Sequence, residues 1–248
     1  MIKYDNNNFN PELLDDNNID KIQIKMIPDN SKVLEIGCAT GFMSEYLKKE
    51  KNCFVYGVEY NEAQAEVAKQ KADVVLSGGI DDVSLQNKLD IFVEENQKFD
   101  VIFMSQVIEH IAYPNSVLDK LKDWLADDGA LIISTVNVAH WSSRIKLLKG
   151  IWKYEEYGLF DNTHLRFFSI NGFEQDLVNT GYEIVDEGYN VSDISPLFLI
   201  PKIRVLHVTN IFKILGLLDS SFYKWYCKKF RNLIGYQFVF KVKVGGIK

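Results

Sequence analysis

The stretch that most constrains this chain is Lys32 to Leu47, which reads KVLEIGCATGFMSEYL. A short β-rich run holding Val33, Leu34 and Ile36 ends in a glycine turn. The turn opens at once into a helical pattern carrying Phe42, Met43, Tyr46 and Leu47. A strand–turn–helix unit leaves the first N–H groups of the helix without intrahelical partners, at the mouth of a sheet where an anionic or polar ligand can sit. Backbone without Cβ turns sharply there and lets a ligand come close. The spacing Gly37-Cys38-Ala39-Thr40-Gly41 is GxxxG, and not the GxGxxG that cradles a dinucleotide pyrophosphate.

From this unit onward, strands and helices alternate. Strands are expected over 32–36, 54–59, 74–76, 99–105 and 130–135, with helices over 42–49, 62–71, 83–93 and 114–125 between them. Such alternation implies right-handed βαβ crossovers and a parallel sheet covered on both faces. After Thr135 the rhythm breaks into a polar, aromatic-rich insertion over 136–170 holding Trp141, Trp152, Tyr154 and Tyr157. A helix over 172–180, a strand over 182–187, a long helical-looking stretch over 196–231 and a last strand over 236–244 follow. No βαβ unit joins the two late strands, so the last one is expected to insert antiparallel.

Composition narrows the class. With 248 residues, 47% hydrophobic and 25% charged, the chain suits one large α/β domain, 32–248, with insertions at 136–170 and 196–231. Residues 1–31 are rich in Asn and Asp, with a helix-like pattern at Ile19, Ile22 and Ile24, and are expected to lie as a leader across the ligand mouth. The net charge of −6 argues against a general nucleic-acid binder. Cys38, Cys53 and Cys227 are too few for a disulfide framework, which points to a reducing cytoplasm. The polar, acidic N-terminus does not read as a secretory leader, and no apolar run approaches the roughly 20 residues that span a bilayer.

With Glu35 two residues before the turn, the motif ExGxxxG resembles the first motif of the class I S-adenosylmethionine-dependent methyltransferases. FVYGVEYN, SGGIDDV, FDVIFMSQVIEHI and ADDGALIIST follow in the order that family uses. The resemblance covers Lys32 to Thr135 and implies a doubly wound, mostly parallel seven-stranded sheet with one reversed strand. It also implies S-adenosylmethionine as cofactor. Glu35, Gly37, Cys38, Ala39, Thr40 and Gly41 would shape its seat. Glu59, with Tyr60 beside it, would take the ribose hydroxyls, and Gly79, Ile80 and Asp81 the adenine. Ser105, Gln106, Val107 and His110 would line the methionine end. S-adenosylmethionine carries no phosphate, and no phosphate-gripping lysine follows the turn.

On the acceptor side, DNTHLRFF (161–168) resembles a segment of small-molecule and glycan-associated methyltransferases close to the ubiquinone-type O-methyltransferases. Its His164 is a candidate general base, because imidazole titrates near neutral pH. The opposing reading has Asp161 paired with Arg166 and His164 pinning the next helix. His110 is the second candidate, His140 a weaker third, and His207 reads as structural. No His/Cys/Asp grouping shows metal-ligand spacing, so no metal is expected. The expected function is O-methylation of a small molecule or glycan precursor. N-methylation and a non-catalytic, membrane-associated cofactor binder stay open as alternatives. Residues 201–231, basic and aromatic, fit either a membrane contact, or a lid or homodimer surface.

Overall fold

The computed structural model describes residues 9–192, 212, 214–217 and 220–246. Seven strands form one sheet: β1 (Lys32–Ile36), β2 (Phe54–Glu59), β3 (Val74–Ser77), β4 (Phe99–Ser105), β5 (Leu125–Val136), β6 (Tyr182–Val191) and β7 (Gly235–Val244). Their order is β3-β2-β1-β4-β5-β7-β6. The first five pair in parallel, and β7 runs antiparallel to both β5 and β6. The reversed last strand is the one expected from the missing crossover.

Helices cover both faces because alternate strand residues feed two cores. Leu34, Ile36, Ile102, Met104, Leu131 and Ile133 point to one side. There they meet α4 (Val83–Asn96), α5 (Pro114–Trp124) and α7 (Ile170–Asn179) through Leu89, Leu121, Trp124 and Phe173. Val33, Val101, Phe103 and Ile132 face the other side. They meet α1 (Ile19–Lys25), α2 (Phe42–Lys51) and α3 (Glu62–Ala68) through Ile24, Leu47 and Ala68. Each helix starts on a legible cap where one is present: Asn18, Asn61 and Asp82 accept backbone N–H bonds at α1, α3 and α4.

Two elements depart from the sequence expectation. β5 begins at Leu125, five residues before the expected start, and its ladder to β4 is interrupted by an irregularity between Phe99 and Val101. The polar Asp127-Asp128-Gly129 run reads as a loop, yet strand pairing with Phe99 resumes before it. The insertion contains a short helix, α6 (Trp141–Leu148), capped by His140. Most of the 196–231 stretch lies outside the described residues. Within it, α8 (Ser221–Lys229) and α9 (Arg231–Ile234) precede β7. No helix among the described residues is long and apolar enough to cross a membrane.

Strand order reverses between β1 and β4. In a doubly wound sheet the crevice outside the carboxyl ends of those two strands is where ligands bind. The glycine turn ends β1 and Ser105-Gln106-Val107 ends β4, so both expected motifs arrive at that one crevice.

Candidate functional site

The glycine turn is held open by its backbone. Gly37, Ala39 and Gly41 all have positive φ, at 76°, 49° and 74°. The N–H groups of Gly37 and Cys38 both donate to the Val58 carbonyl, at 2.8 and 3.1 Å, which hangs the turn on β2. A Cβ at Gly37 would clash with Cγ2 of Val107, so the post-β4 loop lies directly against the turn. A Cβ at Gly41 would press on Ala68 of α3, 3.0 Å from its Cα. Both glycines are therefore demanded twice, by dihedral and by space.

Glu59 sits at the end of β2, only 8% exposed. Its two carboxylate oxygens accept from the N–H of Ala39 at 2.8 Å and of Asn61 at 2.9 Å. It is not the cap of α3, since Asn61 itself takes the N–H of Gln64. Two backbone donors leave lone pairs on both oxygens, which is what a pair of ribose hydroxyls requires. Glu59 occupies the Ala39 N–H that a phosphate on the turn would need, the turn is GxxxG and not GxGxxG, and the carboxylate can still receive a diol, so the residues present fit S-adenosylmethionine. Tyr60 is exposed, and its ring lies beside Gly79. Ile80 is buried, with its carbonyl held by Gln86 Nε2 at 2.9 Å, and Asp81 stays exposed. These four form one edge at the ends of β2 and β3.

The remaining first-motif side chains support the turn from below. The Glu35 carboxyl is buried and receives the Ser44 hydroxyl of α2. Burial pushes its pKa up to about 7, with the nearby Glu59 adding to the rise and the Ser44 hydrogen bond opposing it. The Cys38 thiol, raised by burial and by Glu35 and Glu59, packs under Gly57 as an inert apolar group. Thr40 is fully buried. At β4, Gln106 has φ 54° and bonds the Ser134 hydroxyl through Nε2 at 3.1 Å. The Ser105 hydroxyl accepts from Gln23 of α1 at 2.7 Å, so the leader reaches the carboxyl end of β4.

Immediately after Val107, a 3-10 turn (Ile108–His110) meets the 161–167 segment. The Glu109 carbonyl accepts the N–H groups of Leu165 and Arg166 at 2.9 and 3.0 Å. Arg166 sends its guanidinium to the Ala112 carbonyl, with Nε at 2.9 Å, instead of to Asp161. Asp161 takes the N–H and hydroxyl of Thr163 at 2.8 and 2.6 Å. The next helix, α7, is capped by Ser169 and not by His164. These ties bring His110 and His164 together, with ring centroids 4.9 Å apart. The buried side chain of Glu109 completes the group, and one donor atom from each of the three lies within 4.8 Å of the others. Burial pushes the Glu109 carboxyl up to about 7, against the lowering influence of its own N–H and the Thr135 hydroxyl. Sequence spacing did not reveal this grouping, because its members come from two distant segments.

The weaker histidine candidate falls away. His140 is buried and caps α6, its Nε2 donating to the Ser192 carbonyl at 3.0 Å and its Nδ1 held by Ser142 at 2.8 Å. Both ring nitrogens are engaged and burial lowers its pKa, so it is a structural residue. His207 lies outside the described residues. Far from the crevice, an open groove of about 960 Å³ runs between α7, β6 and α8. At its rim Arg231 pairs with Glu174 and with Glu187 at 2.7 Å, so this cation of the basic stretch is neutralised within the fold.

A family profile described as "Methyltransferase domain" matches residues 12–187, well over half of the chain. The ubiquinone biosynthesis O-methyltransferase of Pasteurella multocida (strain Pm70) is 33% identical over 116 residues, which is 43% of this chain and 46% of that protein. Its counterpart in Actinobacillus pleuropneumoniae serotype 5b (strain L20) is 32% identical over 139 residues, 53% of this chain and 58% of that protein. The chain thus spans about half the length of the curated relatives it matches. Among solved structures, a SAM-dependent methyltransferase from Archaeoglobus fulgidus superposes with a TM-score of 0.59 over 90% of both chains, at 19% identity, a likeness of fold. Profile, relatives and sheet topology agree, and the chain belongs to the methyltransferase-domain family, among the class I S-adenosylmethionine-dependent methyltransferases and near the ubiquinone-type O-methyltransferases.

Proposed function

We propose that the protein transfers a methyl group from S-adenosylmethionine to a hydroxyl of a small molecule or glycan precursor. The observation that carries the choice of a hydroxyl is the Glu109–His110–His164 group beside the post-β4 loop. A hydroxyl must shed its proton as the carbon–oxygen bond forms, whereas a neutral amine attacks without help, so proton-handling side chains are what an oxygen acceptor needs. When bound, S-adenosylmethionine supplies a methyl on a sulfonium, a good leaving group. The chain's own task is then alignment and removal of the acceptor proton, and alignment alone supplies several kcal/mol of the barrier.

The turn Gly37–Gly41 would seat the cofactor, Glu59 would hold its ribose, Tyr60 with Gly79, Ile80 and Asp81 would frame its adenine, and Ser105, Gln106 and Val107 would face its methionine end. The α1 leader, bonded to Ser105 through Gln23, would close one side of that seat. His164 and His110 would act on the acceptor. Three free cysteines, two of them buried, suit a cytoplasmic enzyme. The exposed Phe222 and Trp225 of α8 support a surface contact there, with a membrane or with a second copy.

The test is turnover of labelled S-adenosylmethionine by the full chain against phenols, catechols, sugar nucleotides and amines. S-adenosylhomocysteine should form with one or more hydroxyl acceptors, with the label on oxygen. Turnover confined to amines would overturn oxygen as the acceptor. Cofactor binding without turnover on any acceptor would leave a non-catalytic binder.

A further inference from the structure

We propose that Asp20, with the side-chain carbonyl of Gln23, binds the α-ammonium group at the methionine end of S-adenosylmethionine. Helix α1 would then give the cofactor a charged contact from outside the sheet. This role rests on the reading above, in which the crevice seats S-adenosylmethionine.

The geometry starts from Gln23, which has no exposed surface. Its Nε2 donates to the Ser105 hydroxyl at 2.7 Å, at the carboxyl end of β4, and to Asp20 Oδ1 at 3.0 Å. Both N–H groups of the amide are therefore spent, and exchanging its nitrogen and oxygen would turn the oxygen against the Asp20 carboxylate. Oε1 is left buried with no hydrogen-bond partner among the described residues. A buried acceptor in that state costs free energy until a donor reaches it.

Asp20 adds the charge. Residues three apart share one face of a helix, so both acceptors are presented together. Glu59 is held by two backbone N–H groups and Glu35 by the Ser44 hydroxyl, whereas Asp20 has the Gln23 amide alone. No cation among the described residues offsets its burial, and its carboxyl is pushed up to about 6. Its side chain is only partly buried, so a face stays open to a ligand. An ammonium brings three N–H donors and a positive charge, which serve Oε1 of Gln23 and the second oxygen of Asp20 at once. The α-carboxylate of the same ligand would be repelled there, so the two acceptors also fix which way round the amino-acid end lies.

The helix is placed before any ligand arrives. Asn17 exchanges two hydrogen bonds with the backbone of Val191, at 2.8 and 2.6 Å, which ties the start of α1 to β6. A Cβ at Gly188 would run into Ile22, so β6 admits α1 at close range. A contact held in this way loses little freedom on binding.

The test is calorimetry at pH 7.5, where Asp20 is ionised, on the full native chain and Asp20→Asn. The ligands are S-adenosylhomocysteine, whose sulfur is neutral, and its deaminated analogue, in which hydrogen replaces the α-ammonium. The native chain should prefer S-adenosylhomocysteine by about 30-fold, and Asp20→Asn should lose about that factor for it. The analogue should bind both proteins within about twofold. Asn18 caps α1, so the substitution leaves the cap in place, and thermal unfolding without ligand checks the fold. Asp20→Ser is the second variant should the amide disturb the helix. Equal native affinity for the two ligands overturns the ammonium contact. Equal weakening of both ligands in the variant makes Asp20 a structural residue, and unchanged affinities remove it from the site, so either result also overturns the proposal. A native chain that binds neither ligand would instead overturn the cofactor reading itself, and this role with it.

Discussion

The two sides of the crevice are built by different means. The side proposed to seat the cofactor is one continuous unit: β1, the glycine turn and α2 follow each other within Lys32–Lys51, and Glu59 braces the turn from the neighbouring strand by accepting the Ala39 N–H. The acceptor side is assembled from two pieces, Ile108–His110 and 161–167, held by backbone carbonyls at Glu109, Ala112 and Thr163. A local unit carries its geometry in its own dihedrals. An assembled one depends on every tie between its parts. Substitutions should therefore act all-or-none on the first side and by degrees on the second.

The sharpest test is Gly37→Ala. The new Cβ meets both Val107 and a φ of 76°, so either the turn or the post-β4 loop must move. S-adenosylmethionine affinity should fall by about 100-fold or more, read by calorimetry, with the protein destabilised by about 1–3 kcal/mol. Near-native affinity would mean that the turn is not the seat. Glu59→Gln should follow at about 10–100-fold weaker binding. The amide keeps one acceptor oxygen but turns donors toward either Ala39 or Asn61, and loses the charge that the ribose hydroxyls would use.

The difference in construction also decides what could be read from sequence. Val33–Ile36 and the turn were legible because strand alternation, glycine spacing and helix onset all fall within one short window. The acid at Glu59 was legible because a fixed distance from the turn puts it at the end of β2. The partners of the acceptor side were not. Arg166 and His110 are anchored by main-chain oxygens, and every residue has one, so side-chain identity carries no sign of the match. The three-residue group escaped for the same reason: its spacing exists only after β4 and the insertion have folded together. α6 was missed because a run of Trp, Ser and Arg has little helical periodicity, and its cap is a histidine, an unusual N-cap side chain.

Arg166→Ala probes the assembled side. The two N–H bonds to the Glu109 carbonyl survive, but the tie to Ala112 is lost. Cofactor affinity should stay within about twofold while methyl transfer falls by about tenfold, because small misplacements of reacting groups are costly in rate. An equal loss of both would show that the two sides are one cooperative unit.

The smallest effect is on stability and lies beneath the cofactor side. Glu35 is pushed up to about 7 and Asp20 of α1 up to about 6, each mainly by burial. Between the ordinary carboxyl range and these values, the folded protein holds a proton that the unfolded chain has released. Their contribution is therefore complete below about pH 4 and is lost as pH rises, through about 6 for Asp20 and about 7 for Glu35. Glu35→Gln, which cannot titrate, should remove on the order of 1–2 kcal/mol of that decline between pH 5 and pH 7.5, read as the difference in urea midpoints between native and variant. Surface acids such as Glu45, lowered by its hydrogen bond to Lys49, act in the opposite direction and are common to both proteins, so the difference isolates the buried group. If native and variant decline in parallel, Glu35 is ionised in the folded state. The glycine turn would then rest on a buried charge, and that charge would attract the cationic sulfonium end of the cofactor.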